Sequence, residues 1–247
     1  MISLQQVFNS VAHCPNVDRC LNGAAGHPCS TIVLSQHATK ADFQLPEPWR
    51  GQVDKARILF VGSNPSIGDD RYALGSSPES AIWESQHLAF GGGSRPYILD
   101  GIRKTKADGS PDEAVPYWSS IRARARELLP SAIPGEDYAI TEVVHCKSEH
   151  QIGVREPART CYELHMESVF AVSPADVVVV LGKVARDAML GDGSAVPHAP
   201  IEMSLGGRKR TVFFLPHPNE HGDRKSLEAH YSAEALAKAR STIAAGG

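Results

Sequence analysis

Apolar residues gather in four short runs, at 57–62 (RILFVG), 138–145 (YAITEVVH), 176–181 (DVVVVL) and 211–215 (TVFFL). Each run is continuous instead of alternating, rich in β-branched and aromatic residues, and too short for a helix. That is the pattern of a strand buried on both faces. The segments between them, 117–129, 157–172 and 183–190, carry apolar residues at a spacing near 3.6, as does 225–243, which closes the chain. A further helix is predicted over 4–13, where Leu4, Val7, Phe8 and Val11 share a face and Cys14-Pro15 ends the pattern. Strands alternating with helices predict a three-layer α/β/α fold around a central, mostly parallel four-stranded sheet. Two stretches interrupt the alternation. Residues 14–51 read as a loop region containing three cysteines, and 67–116 is a Gly/Ser-rich insert around Gly91-Gly92-Gly93, a length more often functional than idle. With no internal repeat and no composition break, 1–247 reads as a single domain.

Composition narrows the class. At 247 residues, 42% apolar and 21% charged, the chain is globular, not disordered, collagenous or coiled-coil, and long enough to fold without disulfides. No apolar stretch approaches the roughly 20 residues that span a bilayer, and MISLQQVFNS has neither a basic start nor an apolar core. The expectation is a cytoplasmic protein with no membrane partner and reduced thiols. Five cysteines then read as metal ligands, a catalytic thiol or core residues, not as a disulfide framework. A net charge of −3 does not announce a nucleic-acid binder. Three basic runs, Arg103/Lys104/Lys106, Arg122/Arg124/Arg126 and Arg208/Lys209/Arg210, read first as solvated faces.

In open α/β sheets, ligands bind beyond the carboxyl ends of the strands. That rule selects Ser63, Asn64 and Pro65 after the first run, Glu142, His145 and Cys146 at the end of the second, Gly182 after the third, and His217, Pro218 and Asn219 after the fourth. The loop Gly62-Ser63-Asn64-Pro65-Ser66 is neither a G-x-G-x-x-G fingerprint nor a Walker loop, which disfavours a nucleotide cofactor. No G-x-S-x-G elbow or H-E-x-x-H helix is present.

The pairing of strand-GSNPS early in the chain with strand-LPHPN late in it resembles the uracil-DNA glycosylase superfamily. Between them, TEVVHCKSEHQIGVREPARTCYELH, with Cys146 and Cys161, looks like the iron-sulfur branch, as does DVVVVLGKVA. The resemblance covers about two thirds of the chain, and it is the ordered set of motifs that makes it specific. It implies a monofunctional glycosylase that flips a base out of single- or double-stranded DNA and leaves an abasic site. In that role Asn64 would orient the attacking water, since an amide hardly accepts a proton. His217 would hydrogen-bond the base oxygen on which charge accumulates. Gly62, Ser63 and Glu142 would line the base pocket. Tyr72 would stack on the base, with Trp83, Phe90 and Tyr97 as the other aromatic candidates. Ser66, Lys183, Asn219 and Arg224, with Glu220 and His221, would meet DNA. A monomer is expected.

Each assignment has a bland counterpart. Asn64-Pro65-Ser66 is also an ordinary turn sequence, His217 a plausible strand-end packing residue, and Asp69 and Asp70 are helix-capping residues by type. The departures from the family pattern carry information. The branch has Asn where this chain has Glu142. An ionised carboxylate offers acceptors only, which opposes uracil O4 but suits the exocyclic amino group of a cytosine-derived base. The base therefore stays open between uracil, for repair, and a modified base, for defence against foreign DNA. The other open end of Glu142 is a plain ion pair. The branch's N-terminal Cys-x-x-Cys is also missing. Two of Cys14, Cys20 and Cys29 with Cys146 and Cys161 would supply four thiolates for a [4Fe-4S] cluster, for zinc, or for neither. A catalytically silent nucleic-acid-binding member of the same fold is the alternative reading, and a hydrolase or transferase of small molecules the third.

Overall fold

The computed structural model describes residues 2–24, 26–67, 74–88, 90–91, 98–106, 108–219 and 225–245. The elements run α1 (Leu4–Ala12), α2 (Pro15–Leu21), α3 (Ser30–Leu34), β1 (Ile58–Gly62), α4 (Glu79–Trp83), β2 (Ile98–Leu99), β3 (Arg103–Thr105), β4 (Pro111–Ala114) and α5 (Pro116–Leu128). There follow β5 (Tyr138–Glu142), α6 (Ala158–Cys161), α7 (Glu167–Val172), β6 (Val177–Leu181), α8 (Lys183–Leu190), β7 (Ile201–Leu205), β8 (Arg208–Leu215), α9 (Leu227–His230) and α10 (Ala233–Ala245).

The central sheet has the order β5-β1-β6-β8-β7. The four strands expected from the sequence pair in parallel, and every residue of β1, β5 and β6 is buried. Four strands is a correction to make: β7 adds a fifth, antiparallel to β8 at the edge. Its alternating Ile201-Glu202-Met203-Ser204-Leu205 has one face half-buried and one exposed, the period-2 pattern of an edge strand. The insert also holds a small antiparallel sheet, β2-β3-β4, whose strands are too short and polar to show as apolar runs.

The helices explain themselves locally. Ser3 and Gln6 form a reciprocal capping box on α1, and Pro116 opens α5 at the position where its missing N–H costs nothing. The stretch 14–51 is not a plain loop, because α2 and α3 fold within it. The predicted 157–172 helix is α6 and α7 joined by a π-helical turn at Tyr162–Met166. The predicted 225–243 helix is broken at Tyr231, whose extended backbone lets its hydroxyl donate to the Phe214 carbonyl and accept the Phe214 N–H of β8. One basic run is also reassigned. Arg210 is fully buried, and its guanidinium donates to the carbonyls of Leu205, Ala175, Phe170 and Ser173, tying β8 to the end of α7.

The chain passes from β1 to β5 on one side of β1 and then returns to β6 on the other. Strand order therefore reverses at β1, and the crevice of such a sheet opens at its carboxyl end.

Candidate active site

At that end Gly62 lies in register with Glu142, and Leu181 with Leu215. The segment after β5 departs from the sheet and binds the loop after β1. Val143 N–H donates to Gly62 O, Val144 N–H to Ser63 O and Ser148 N–H to Pro65 O, at 3.0, 3.0 and 3.1 Å. This is why the predicted strand stops at Glu142 instead of His145, and it fixes the loop that carries Asn64.

A cleft of ≈ 350 Å³ opens there. It gathers Ser63, Asn64, Pro65, Ser66, Glu142, His217 and Asn219 from three separate strand ends. Asn64 is half-buried. Its Nδ2 donates to its neighbour's carbonyl, Pro65 O, at 2.9 Å, and its Oδ1 accepts from the Ser63 hydroxyl at 3.3 Å. His217 Nδ1 accepts the Asn219 backbone N–H at 3.2 Å, so in the neutral ring Nε2 carries the proton and is a donor. Gly182 stands behind the imidazole with φ +84°, and a Cβ there would come within 3.2 Å of His217 Cβ. The Tyr117 ring stacks on the other side of the imidazole, centroids 5.9 Å apart and 25° from parallel.

The chain's match to known families now decides the matter: the model of the Uracil DNA glycosylase superfamily matches residues 48–239. This protein belongs to that superfamily. No curated protein matches it.

Other residues of this superfamily member were not visible as site residues in the sequence. Glu47, Arg50, Lys104, Tyr117 and Trp118 all line the cleft. Glu47 and Arg50 stand in the Pro-rich segment LPEPWRG, where a charged pair beside a tryptophan was the one signal available. Glu47 is fully buried and accepts hydrogen bonds from Lys147 Nζ and, at 2.6 Å, from Arg50 Nη2. Those two cations hold its carboxyl below the usual range against the opposing effect of burial. Glu142 has no such partner. Its Oε2 is buried and unbonded, and burial followed by the nearby Glu47 charge pushes its carboxyl up to about 8. Burial and the Glu47 charge thus both favour the neutral form of this carboxyl over the ionised, acceptor-only one.

Several expected contacts lie elsewhere. Lys183 pairs with Asp187 along α8, in a separate groove with Arg155 and Arg159. Phe90 is buried against Tyr138, and Trp83 stacks on His87 and meets Phe8 in the core, so neither reaches the cleft. Tyr72, Tyr97, Arg224, Glu220, His221, Asp69 and Asp70 lie outside the described residues.

The cysteines sort themselves. Cys14, Cys29, Cys146 and Cys161 line one small buried cavity with His145 and His165. Cys14 caps α2, Cys29 caps α3, Cys146 follows β5 and Cys161 ends α6. Cys20 is not among them; its sulfur lies 3.6 Å from His27 Nδ1. All five are free thiols. Burial, then Cys20 and Cys14, pushes Cys29 up to about 12, burial pushes Cys161 up to about 12, and burial, then Cys161, raises Cys146 well above the usual thiol range. For Cys161 the backbone N–H of His145 pulls the other way. Among the described residues no three His, Cys, Asp or Glu side chains are grouped as ligands of a single metal ion. No helix among them is long and apolar enough to cross a membrane.

Proposed function

We propose that this protein is a DNA glycosylase that hydrolyses the N-glycosidic bond of a flipped base and leaves an abasic site. The observation that carries the reading is the meeting of Asn64 and His217, from the ends of β1 and β8, in one cleft with Glu142. Breaking the bond develops positive charge on the sugar and negative charge on the base. The Asn64 Oδ1, held by Ser63, is placed to accept from a water and orient its lone pair toward the sugar. His217 Nε2–H is the donor for the base oxygen that gains charge, and the Asn219 contact and the Tyr117 stack keep the ring in that tautomer and plane. Because the Asn64 acceptor and the His217 donor both follow strand ends, little reorganisation accompanies the step.

The test is abasic-site formation on single-stranded and duplex oligonucleotides carrying uracil, hypoxanthine, xanthine, cytosine or modified cytosines. Asn64→Ala and His217→Ala should each lower the rate by roughly 10²–10³-fold. Loss of excision with salt-dependent DNA binding retained is the expected signature of both variants. If the wild type excises none of these bases yet binds DNA, the protein is instead a silent binding module of the same fold.

The four cavity-lining cysteines are a donor set for a [4Fe-4S] cluster, with zinc, which accepts the same thiolates, as the alternative. Bound there, a cluster would supply a cross-link between the α2–α3 region and the sheet. Cys14, Cys29, Cys146 and Cys161 would hold it as thiolates, the form that a nearby cation favours. Iron and sulfide content should fall on Cys161→Ser or Cys29→Ser and persist in Cys20→Ser. Loss of iron in Cys20→Ser with retention in Cys29→Ser would reassign the ligand set.

A further inference from the structure

Glu142 closes the last position of β5, opposite Gly62, and lines the same cleft as Asn64 and His217. A Cβ on Gly62 would sit in ordinary contact, 3.5 Å, with Glu142 Cγ but only 2.7 Å from the Tyr117 hydroxyl, so the three residues share one corner of the cleft. The side chain is 5% exposed, and with Oε2 buried and unbonded, Oε1 is left to meet whatever enters the cleft. We propose that Glu142 selects the base and that its carboxyl, buried without an ionic partner, admits cytosine-type bases as well as uracil. The inference deepens the glycosylase reading and rests on it.

The neutral form is favoured by how the charges are shared. Glu47 takes Lys147 Nζ and the Arg50 guanidinium, the two cations whose attraction acts on Glu142. Glu142 keeps the disadvantage of burial and the repulsion of Glu47, which the attraction of Arg50 and Lys147 does not overcome. Tyr117 stands over the same corner as a neutral phenol, its own ionisation opposed by burial and by Glu142. Lys104, His150 and His217 are the other titratable side chains around the cleft.

The consequence is chemical. The base edge of uracil offers an N3–H donor and an O4 acceptor, and that of cytosine an N3 acceptor and an N4–H donor. An amide side chain fixed by its neighbours presents one of its two groups and matches one edge. A carboxylate presents only acceptors, which oppose O4 of the first edge and N3 of the second. A neutral carboxyl can place its proton on Oε1 or on Oε2. The oxygen facing the base is then an O–H donor or a C=O acceptor without any heavy atom moving. The atom that meets the base therefore adapts to either edge, and discrimination between them by this residue is weak. The relevant substrates are pyrimidines with an amino or an oxo group at C4.

The experiment measures single-turnover excision from single-stranded oligonucleotides carrying uracil, cytosine, 5-methylcytosine or 5-hydroxymethylcytosine, from pH 6 to pH 9.5, with wild type, Glu142→Gln and Asn64→Ala. At pH 7 the wild type should remove uracil and at least one of the amino-bearing bases at rates within about tenfold of each other. Both rates should fall together as the pH rises through about 8. Glu142→Gln should keep one edge, lose the other by roughly 10–100-fold, and show no decline through pH 8. Excision of uracil alone by the wild type at every pH would overturn the proposal. So would rates on amino-bearing bases that rise through pH 8, since the carboxylate would then be the reader. If the wild type excises no base, the glycosylase reading fails by itself, and two further measurements still decide the inference. These are the infrared carbonyl band of a protonated carboxyl at pH 7, lost in Glu142→Gln, and the affinity for uracil- against cytosine-containing strands. A band present with near-equal affinities sustains the inference; an absent band or a uracil-only preference overturns it.

Discussion

Beneath the cleft, Lys147 is a sharp point at which to test how the ionic network carries both stability and site geometry. Its side chain is fully buried and its ammonium is bound to Glu47, itself fully buried. Lys147→Met keeps most of the volume and removes the charge, leaving Glu47 with Arg50 alone. Breaking a buried ion pair from one side costs about 3–5 kcal/mol, because the remaining charge has lost part of its compensation. For a chain of this length each kcal/mol moves the thermal midpoint by about 2–4 °C, so the expected fall is about 6–20 °C. Calorimetry or circular dichroism at pH 7 measures it. The same reasoning requires coupling: Glu47→Gln and Lys147→Met together should cost less than the sum of the singles, by about 1–3 kcal/mol. A midpoint within about 2 °C of wild type, or singles that simply add, would refute the assignment of Glu47–Lys147 as a mutually dependent pair.

Other substitutions probe separate parts of the argument. Arg210→Met strips the donors from four buried carbonyls, and urea unfolding should show a loss of about 3 kcal/mol or more with no change in the slope. Gly62→Ala places a Cβ 2.7 Å from the Tyr117 hydroxyl; Tyr117 must swing from its stack on His217, and excision should drop by about tenfold or more while the thermal midpoint changes little. The Glu142 carboxyl titrates near 8 when folded and near its ordinary value when unfolded, so the neutral form favours the folded state. Its contribution is full below the unfolded value and is lost as the pH rises toward 8, at no more than about 1.4 kcal/mol per pH unit. Glu142→Gln should therefore gain stability over wild type steadily from about pH 4.5 to 8 and then level off, and a constant difference across that range would contradict the buried neutral acid.

The sequence by itself determined the layers and the two motifs that flank the cleft. The runs RILFVG, YAITE, VVVVL and TVFFL are mostly apolar without alternation because parallel strands are covered on both faces, so their number and order could be read without a structure, although the second was expected to run on to His145. Asn64 and His217 were legible as candidates for the same reason, each standing among the first polar residues after such a run. Strand β7 was in principle legible, since its period-2 pattern is that of an edge, but one short alternating stretch carries little weight against surrounding loop composition. Tertiary structure alone decided the rest. Tyr117 joins the site because α5 packs its first turn over β1, Glu47 and Arg50 because their loop closes under β5, and neither fact leaves a period in the chain. Which cysteines face one another depended on α2 and α3 folding within a segment with no apolar rhythm, which brought Cys29 to the cavity and left Cys20 beside His27. The protonation of Glu142 was the furthest from reach. A carboxyl's charge is set by desolvation and by the allocation of nearby cations, and here both cations went to a glutamate 95 residues away in the chain, for a reason that exists only once the chain is folded.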